Sequence, residues 1–483
     1  MDHYSGSSPY WPSNVKDKIK TGKIVTEIDL TNSKIAILGM GATGLSVARF
    51  LSSLGTPFVF ADSREQPPNL NEVRDCFPQA LRRLGEFNEA LFTDIDLAII
   101  SPGIALDQPA LIKARQKGVT FIGDLDLFLD QAEAPVVAIT GSNGKSTVTT
   151  LLGEMAKNSG LQVGVGGNLG LPMLDLISNK NHLYVLELSS FQLELLTSSR
   201  GATVGLLNIT PDHMDRYKDL EQYVAAKHHI FRGAKTAVSN RQDSLTAQRE
   251  QGVSQTLTFG LDSPGQGNFG VAVHDHQESL FFGNQVLLSV DEVAMKGRHN
   301  TGNALAALAL GHAAGLPIES MLETLKIFKG LPHRCETIAT IDNVSYINDS
   351  KGTNVGATLA AIEGFGSNSY KNLLLIAGGQ GKGQDFGGLK EAADRFVKCG
   401  FVYGEDAQQL EDALDSVTEV YRADSLIEAV AGAKSAARPG DIVLLSPACA
   451  SFDSFTGFEE RGQCFSQAVL STVKLDSREG MTS

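Results

Sequence analysis

The sequence predicts an α/β protein of three domains, and three observations predict it. At 483 residues the chain exceeds one ordinary core, and about 150 residues per domain gives three. Three separate stretches alternate short β-branched runs with helical patterns, the signature of parallel α/β layers. Glycine-rich turns follow the leading strands of the first two stretches, where such folds turn from strand into helix. The predicted divisions are an extension at 1–30 and domains at 31–133, 134–330 and 331–483.

The bulk numbers agree with a folded, water-soluble chain. Hydrophobic residues make up 42% and charged residues 20%, an ordinary globular balance. No apolar run nears the ~20 residues that cross a bilayer. The first thirty residues carry Trp11-Pro12 and scattered charges; they lack both the apolar segment of a secretory signal and the Arg-rich, acid-poor character of a transit peptide. Cys76, Cys335, Cys399, Cys449 and Cys464 form an odd, dispersed set without a C-x-x-C pair. That argues against a disulfide framework or structural zinc and fits a reducing cytoplasm. A net charge of −14 argues against a general nucleic-acid or anionic-membrane surface. Any cations that hold anionic substrates must therefore be local.

The first domain opens with a predicted strand at Lys34–Leu38, the turn Gly39–Gly44 and a helix to about Leu54. Strands follow at Pro57–Ala61, Asp96–Ile100 and Val119–Ile122, then a helix at Asp124–Leu129 and a linker at Ala134-Pro135. The turn fits G-x-G-x-x-G, with Asp62 about 20 residues on, which predicts a Rossmann-like dinucleotide fold. Alone it is a weak signal.

The second domain begins with a strand at Val136–Ile139 that runs into Thr140–Thr147, TGSNGKST. This is a P-loop-type strand-to-helix turn: glycines aim backbone N–H groups at an anion and the new helix adds its positive end. Lys145 can reach β- and γ-phosphates, and Ser146 can offer its hydroxyl to Mg²⁺. The generic pattern requires glycine five residues before Gly144, and Ile139 stands there. Strands are predicted at Leu183–Leu186 and Thr203–Leu207. Short antiparallel strands are expected from Ser254 to Gln285, and helices at Thr301–Ala314 and Ile318–Phe328. Glu187 lies at a predicted strand end, where open α/β sheets place ligands, so it suits a Mg²⁺ shell or a helix cap. His213 follows another strand end in DHMD; a lone loop histidine is usually a surface residue. Lys227 lies in the helical stretch Tyr223–Phe231, where a solvated face is the ordinary reading.

The third domain starts near Leu331-Pro332. A hairpin turning at Asp342-Asn343 leads to NDSK, and strands at Leu373–Ala377, Cys399–Tyr403, Val417–Tyr421 and Ile442–Leu445 alternate with helices. This is a doubly wound layer.

The shortened TGxNGKxx form resembles the muramyl ligase and folylpolyglutamate synthase superfamily, and most closely its D-glutamate-adding ligases of UDP-N-acetylmuramoyl-L-alanine. Five segments carry the resemblance in order: TGSNGKSTVTT, LELSSFQLE, NITPDHMDRY, LPHRCE with NDSKGTNVGAT, and SPACASFDSF. It spans nearly the whole chain beyond the first ~30 residues. It implies a UDP-binding first domain, an ATPase second domain and a third domain holding D-glutamate and part of the ATP. The ATP contacts it implies are Gly141, Ser142, Asn143, Gly144, Lys145, Ser146, Thr147, Asn303, Arg334, Asp349 and Lys351. The catalytic and metal group would be Lys145, Ser146, Glu187, His213 and Lys227, with two Mg²⁺ ions and Lys227 carbamylated by CO₂. The UDP-linked substrate would meet Thr43, Asp62, Ser63, Arg64, Ser101, Gly103 and Asn168; D-glutamate would meet Thr353, Lys382, Ser451 and Phe458.

Two residues depart from the family's habit, Gly302 beside the adenine contact and Gln380 where an acid is frequent. The resemblance further implies a monomer, closure of the third domain on nucleotide and phosphorylation of the alanyl carboxylate before amine attack. Competing readings are a sibling amide ligase with another amino acid or folate acceptor, a nicotinamide-dependent oxidoreductase, and a non-catalytic UDP-sugar binder.

Overall fold

Parallel strands buried on both faces need near-continuous apolar runs, and such runs form the centre of each layer. The computed structural model describes residues 28–479 other than 215 and 249. The extension expected at 1–30 therefore lies outside the described residues up to residue 27.

The first layer comprises β1 (Ile35–Leu38), α1 (Ala42–Ser53), β2 (Phe58–Asp62), α2 (Leu70–Cys76), β3 (Leu81–Leu84), β4 (Leu97–Ile100), α3 (Pro109–Gln116), β5 (Thr120–Gly123) and α4 (Asp124–Gln131). Its strands run parallel in the order β3-β2-β1-β4-β5. The order reverses between β1 and β4, so their C-terminal ends open a ligand crevice.

The second layer holds β6 (Val136–Thr140), α5 (Lys145–Asn158), β7 (Val163–Gly167), β8 (Leu183–Glu187), α6 (Ser190–Leu193), β9 (Thr203–Leu206), α7 (Leu220–His228) and β10 (Thr236–Asn240). It continues through β11 (Gln255–Phe259), β12 (Phe269–His274), β13 (Gln277–Phe282), β14 (Gln285–Ser289), α8 (Arg298–Ala313) and α9 (Ile318–Ile327). The sheet order is β14-β13-β12-β11-β10-β9-β6-β8-β7. The expectation of antiparallel strands from Ser254 is corrected here. β11 pairs parallel with both β10 and β12, and only β12 to β14 form an antiparallel meander.

The third layer contains β15 (Glu336–Ile341), β16 (Val344–Asn348), α10 (Val355–Phe365), β17 (Leu373–Gly378), α11 (Lys390–Phe396), β18 (Val397–Tyr403), α12 (Ala407–Leu414), β19 (Glu419–Arg422), α13 (Leu426–Ala436), β20 (Ile442–Leu445) and α14 (Phe458–Glu479). Its order is β15-β16-β20-β17-β18-β19, parallel except for the β15–β16 hairpin. The three α/β layers match the predicted fold class.

One apolar cluster joins the first two layers: Leu125, Leu127 and Phe128 of α4 pack with Tyr184, Leu193 and Leu196. The Phe128 and Tyr184 rings meet edge to face at 5.1 Å. Among the described residues no helix is long and apolar enough to cross a membrane.

Candidate active site

The phosphate loop runs from the end of β6 to the first turn of α5. Gly144 takes a left-handed φ of +81°, and a Cβ there would sit 2.4 Å from Asn303 Oδ1 on α8. The left-handed conformation favours glycine, and a larger residue would also have to displace the Asn303 amide. Lys145 Nζ donates to the carbonyls of Gly141 (2.8 Å) and Ser142 (2.9 Å), folding back over its own loop. The segment after β9 braces the loop from outside. Asn143 N–H donates to Asn208 Oδ1 at 2.8 Å, Ser142 Oγ donates to the Thr210 carbonyl at 2.9 Å, and the Tyr223 hydroxyl lies 3.0 Å from Ser142 Oγ.

Lys227 sits on α7 and is 1% exposed, so the solvated-face reading is excluded. Its Nζ donates to the Gly141 carbonyl at 2.8 Å and to Thr140 Oγ1 at 3.4 Å, and rests 4.7 Å from the Tyr223 ring centroid. Burial first, and repulsion from the like charge of Lys145 second, hold the amine well below the usual lysine range. Burial lowers Lys145 as well. Buried Glu187 closes β8. Its Oε1 accepts from Asn168 Nδ2 at 2.8 Å, whereas Oε2 is buried with no partner. His213 is half exposed at a φ of +57°; its ring lies 5.0 Å from that of Phe191 and its Nε2 is 3.8 Å from Asp212 Oδ2.

The C-terminal domain supplies the far wall. Arg334 Nη2 donates to Ser146 Oγ at 2.7 Å across the domain gap. Asp349 accepts from Ser446 Oγ (2.7 Å) and from Cys335 N–H (3.2 Å), and burial raises its carboxyl to about 6. Lys351 Nζ lies 4.2 Å from the Phe458 ring, so a residue expected at the nucleotide and one expected at D-glutamate share one wall. Between the domains lies a cleft of about 230 Å³ with Leu207, Phe259, Leu261 and Ala306 on its apolar side and Asn303, Arg334 and Lys351 on its polar side. Gly302 also lines it; a Cβ there would meet nothing within 4 Å, so the departure at this position opens space.

At the end of the first sheet, Asp62 Oδ2 accepts from Met40 N–H and Arg64 Nη2, both at 2.8 Å. Its Oδ1 accepts from Arg64 N–H (3.0 Å) and Nε (2.8 Å). Burial opposes the charge, but these bonds outweigh it and hold the carboxyl below its ordinary value. Asp62 therefore anchors the glycine turn and aims Arg64. Ser101 follows β4 with a buried, unpartnered Oγ. Thr43 is half-buried in the first turn of α1, and Ser63 and Gly103 are exposed after β2 and β4.

The D-glutamate candidates stand after the C-terminal ends of β16, β17 and β20, with Phe458 opening α14. Lys382, at a φ of +54°, holds its Nζ 5.5 Å from the Phe452 ring. Ser451 is buried beside the bridge that pairs Gln380 with Ala450. Thr353 N–H donates to the Lys351 carbonyl at 2.8 Å. The Gln380 side chain donates to Glu405 Oε2 at 3.4 Å.

With this geometry in place, three family models match in chain order: a MurD-like N-terminal domain of Mur ligases at residues 33–123, a Mur ligase middle domain at 139–311, and a Mur ligase glutamate ligase domain at 333–449. The chain belongs to the Mur ligase family. Among Mur ligases, a Pseudomonas putida relative named UDP-N-acetylmuramoylalanine–D-glutamate ligase is 49% identical over 433 residues, covering 90% of this chain and 96% of its own. A Legionella pneumophila relative of the same name is 46% identical over 444 residues, covering 91% and 99%. The solved UDP-N-acetylmuramate–alanine ligase of Thermotoga maritima superposes with a TM-score of 0.54 at 20% identity, covering 91% of this chain and all of that one. The pseudomurein peptide ligase type C of Methanothermus fervidus gives 0.54 at 20%, covering 86% and 96%. These two likenesses are of fold.

Whether this Mur ligase chain suits a divalent cation is tested by its orphaned oxygen. Glu187 Oε2 is a buried carboxylate oxygen without a donor, which a hard cation satisfies. Among the described residues no three His, Cys, Asp or Glu side chains gather into a cage. Mg²⁺ commonly takes one or two carboxylates and completes its shell with phosphate oxygens and water. Several supporting residues carry no clear mark in the sequence: Asn208, Thr210, Tyr223 and Arg461. The first two lie in the segment that holds His213. Arg461 is wholly buried and donates to the carbonyls of Ser350, Gly378, Cys449 and Ala450 and to Ser350 Oγ, fixing three loops of the C-terminal site.

Proposed function

We propose that this chain is an ATP-dependent ligase that joins D-glutamate to UDP-N-acetylmuramoyl-L-alanine and releases ADP and phosphate in peptidoglycan precursor synthesis. The observation that carries the reading is the convergence of Lys145, the unpartnered oxygen of Glu187 and Arg334 of the next domain on one phosphate loop. The shared name of relatives 46–49% identical supports the choice of D-glutamate.

A carboxylate is a poor electrophile, and phosphorylation gives it a leaving group. The alanyl carboxylate attacks the γ-phosphorus of ATP, forming an acyl phosphate and ADP. The D-glutamate amine then adds to the acyl carbon, and phosphate departs as the amide forms. The protein's part is alignment and charge neutralisation. Lys145 leaves its loop carbonyls to meet β- and γ-oxygens, and Arg334 adds a second cation from across the cleft. The apolar side formed by Leu207, Phe259 and Leu261 takes the base, with Asn303 at its edge. Glu187, Ser146, His213 and a carbamylated Lys227 would hold two Mg²⁺ ions, which supply neutralisation of phosphate charge. Carbamylation needs a neutral amine, and the lowered Lys227 provides it.

In the first domain, Asp62, Arg64, Ser101 and the glycine turn face the UDP-linked substrate, with Thr43, Ser63 and Gly103 along its path and Asn168 of the central domain beyond them. Thr353, Lys382, Ser451 and Phe458 offer donors and a wall to the two carboxylates of D-glutamate. Action as a monomer in the cytoplasm belongs to the same proposal; the five cysteines are all free thiols, as a reducing compartment would keep them.

The test is ADP and phosphate release with each substrate omitted in turn. Release should require ATP, Mg²⁺, the UDP-linked acceptor and D-glutamate together. Release driven equally by another amino acid, or none with the full set, would overturn the assignment.

A further inference from the structure

Asn354 is the N-cap of α10, is buried, and accepts the N–H of Ala357 at 2.8 Å through its Oδ1. Its amide nitrogen points the other way, into the central domain. There Nδ2 donates to Asn143 Oδ1 of the phosphate loop at 3.4 Å and to Asp212 Oδ2 at 3.3 Å. Both acceptors are already tied to the catalytic group. Asn143 is held by Asn208 through its N–H and by Thr210 Oγ1, 3.3 Å from its Nδ2. Asp212 Oδ1 accepts the N–H of His213 at 3.0 Å. The first turn of α10 abuts the same place: a Cβ on Gly356 would lie 2.7 Å from Thr210 Oγ1. One side chain thus touches a helix start of the C-terminal domain, the phosphate loop and the neighbour of His213.

Capping alone does not require asparagine, because Ser and Asp cap a helix about as well. Only asparagine caps with its oxygen while its nitrogen donates to two acceptors beyond the helix. We propose that Asn354 is a positioning residue that registers the C-terminal domain against the phosphate loop and His213, so that domain closure and alignment for phosphoryl transfer are a single event. The inference rests on the ligase reading above and names a further residue for that site.

The test uses Asn354→Asp and Asn354→Ser, which keep the cap and remove the amide N–H; the serine hydroxyl, one atom shorter, falls short of both acceptors. Asn354→Asp also sets a carboxylate against that of Asp212. Melting temperatures without substrate should stay within about 3 °C of wild type. Turnover should fall about tenfold to a hundredfold, with Asp worse than Ser and KM for the UDP-linked acceptor nearly unchanged. Adding Asp212→Asn to Asn354→Asp restores an amide–carboxylate pair with the donor reversed, and should raise turnover above that of Asn354→Asp alone. Small-angle scattering with an ATP analogue gives a readout that does not depend on chemistry: wild type compacts and Asn354→Asp compacts less. Wild-type kcat in Asn354→Asp, losses of kcat that merely follow losses of melting temperature, or equal compaction in both proteins would each overturn the proposal. Failure of wild type to release phosphate with D-glutamate would instead strike the ligase reading, and the scattering comparison still decides Asn354.

Discussion

Replacing Lys227 by methionine separates what this residue costs the fold from what it gives the reaction. Its side chain is 1% exposed, and its amine makes one good hydrogen bond, 2.8 Å to the Gly141 carbonyl. Such a bond contributes about 1 kcal/mol net. Against it stands the lowered basicity of the buried amine. With the folded pKa below the unfolded one, every tenfold loss of proton affinity costs the fold about 1.4 kcal/mol at pH values beneath both. A single tenfold loss already cancels the hydrogen bond. Methionine nearly conserves volume, and such swaps cost less than about 1.5 kcal/mol. In CO₂-free buffer with chelator near pH 7, Lys227→Met should therefore unfold in urea no earlier than wild type. Any advantage should shrink as pH rises towards the ordinary lysine value of about 10.4, above which the wild-type amine is neutral in both states. Turnover should nevertheless fall at least ~100-fold, about 2.7 kcal/mol of transition-state stabilisation. Lys227→Ala, which leaves space, should recover part of its activity with short-chain carboxylic acids. Near-normal phosphate release by Lys227→Met, or a loss of stability like that of a core cavity, would refute the reasoning.

Lys145→Ala should lower phosphate release at least ~100-fold, because it removes the principal cation of the loop; steady-state rates check it. Asp62→Ala strips the acceptor from Met40 N–H and from Arg64, so KM for the UDP-linked substrate should rise about tenfold with kcat little changed. Burial lowers His299 to about 4, outweighing a backbone hydrogen bond at Ala360. The unfolded chain thus binds the proton more readily between its ordinary pKa of about 6.5 and the folded value, and stability falls as pH falls through that window. His299→Gln should flatten the slope by up to about 1.4 kcal/mol per pH unit in urea titrations.

The central strands are legible because full burial demands unbroken apolar runs: IAIL, VVAIT and LLLIAG each mark one. Other strands carry weaker patterns and escape a sequence reading. β3 is the edge sequence LRRL, exposed and half buried in alternation, and β7 is the glycine-rich VGVGG. The polarity around β11 suggests a meander, whereas β10 offers it a parallel edge. α8 begins at Arg298, three residues before the expected start, since its polar first turn faces the cleft instead of a core. The phosphate loop is readable because all its parts are contiguous. Arg461 is not: within FEERGQCF it resembles a helix-surface arginine, and only the fold brings the carbonyls of Ser350 and Gly378, 111 and 83 residues away, around it with those of Cys449 and Ala450. Asn354 is hidden for the same reason, its partners lying 211 and 142 residues away in sequence.

The back-folded Lys145 has a thermodynamic consequence. Its ammonium already engages its donors with the Gly141 and Ser142 carbonyls, so an arriving triphosphate wins it by exchange rather than by capture. Gly141 has a second donor, the Lys227 nitrogen, 2.8 Å from the same carbonyl. The loop can thus surrender one cation without stranding that carbonyl.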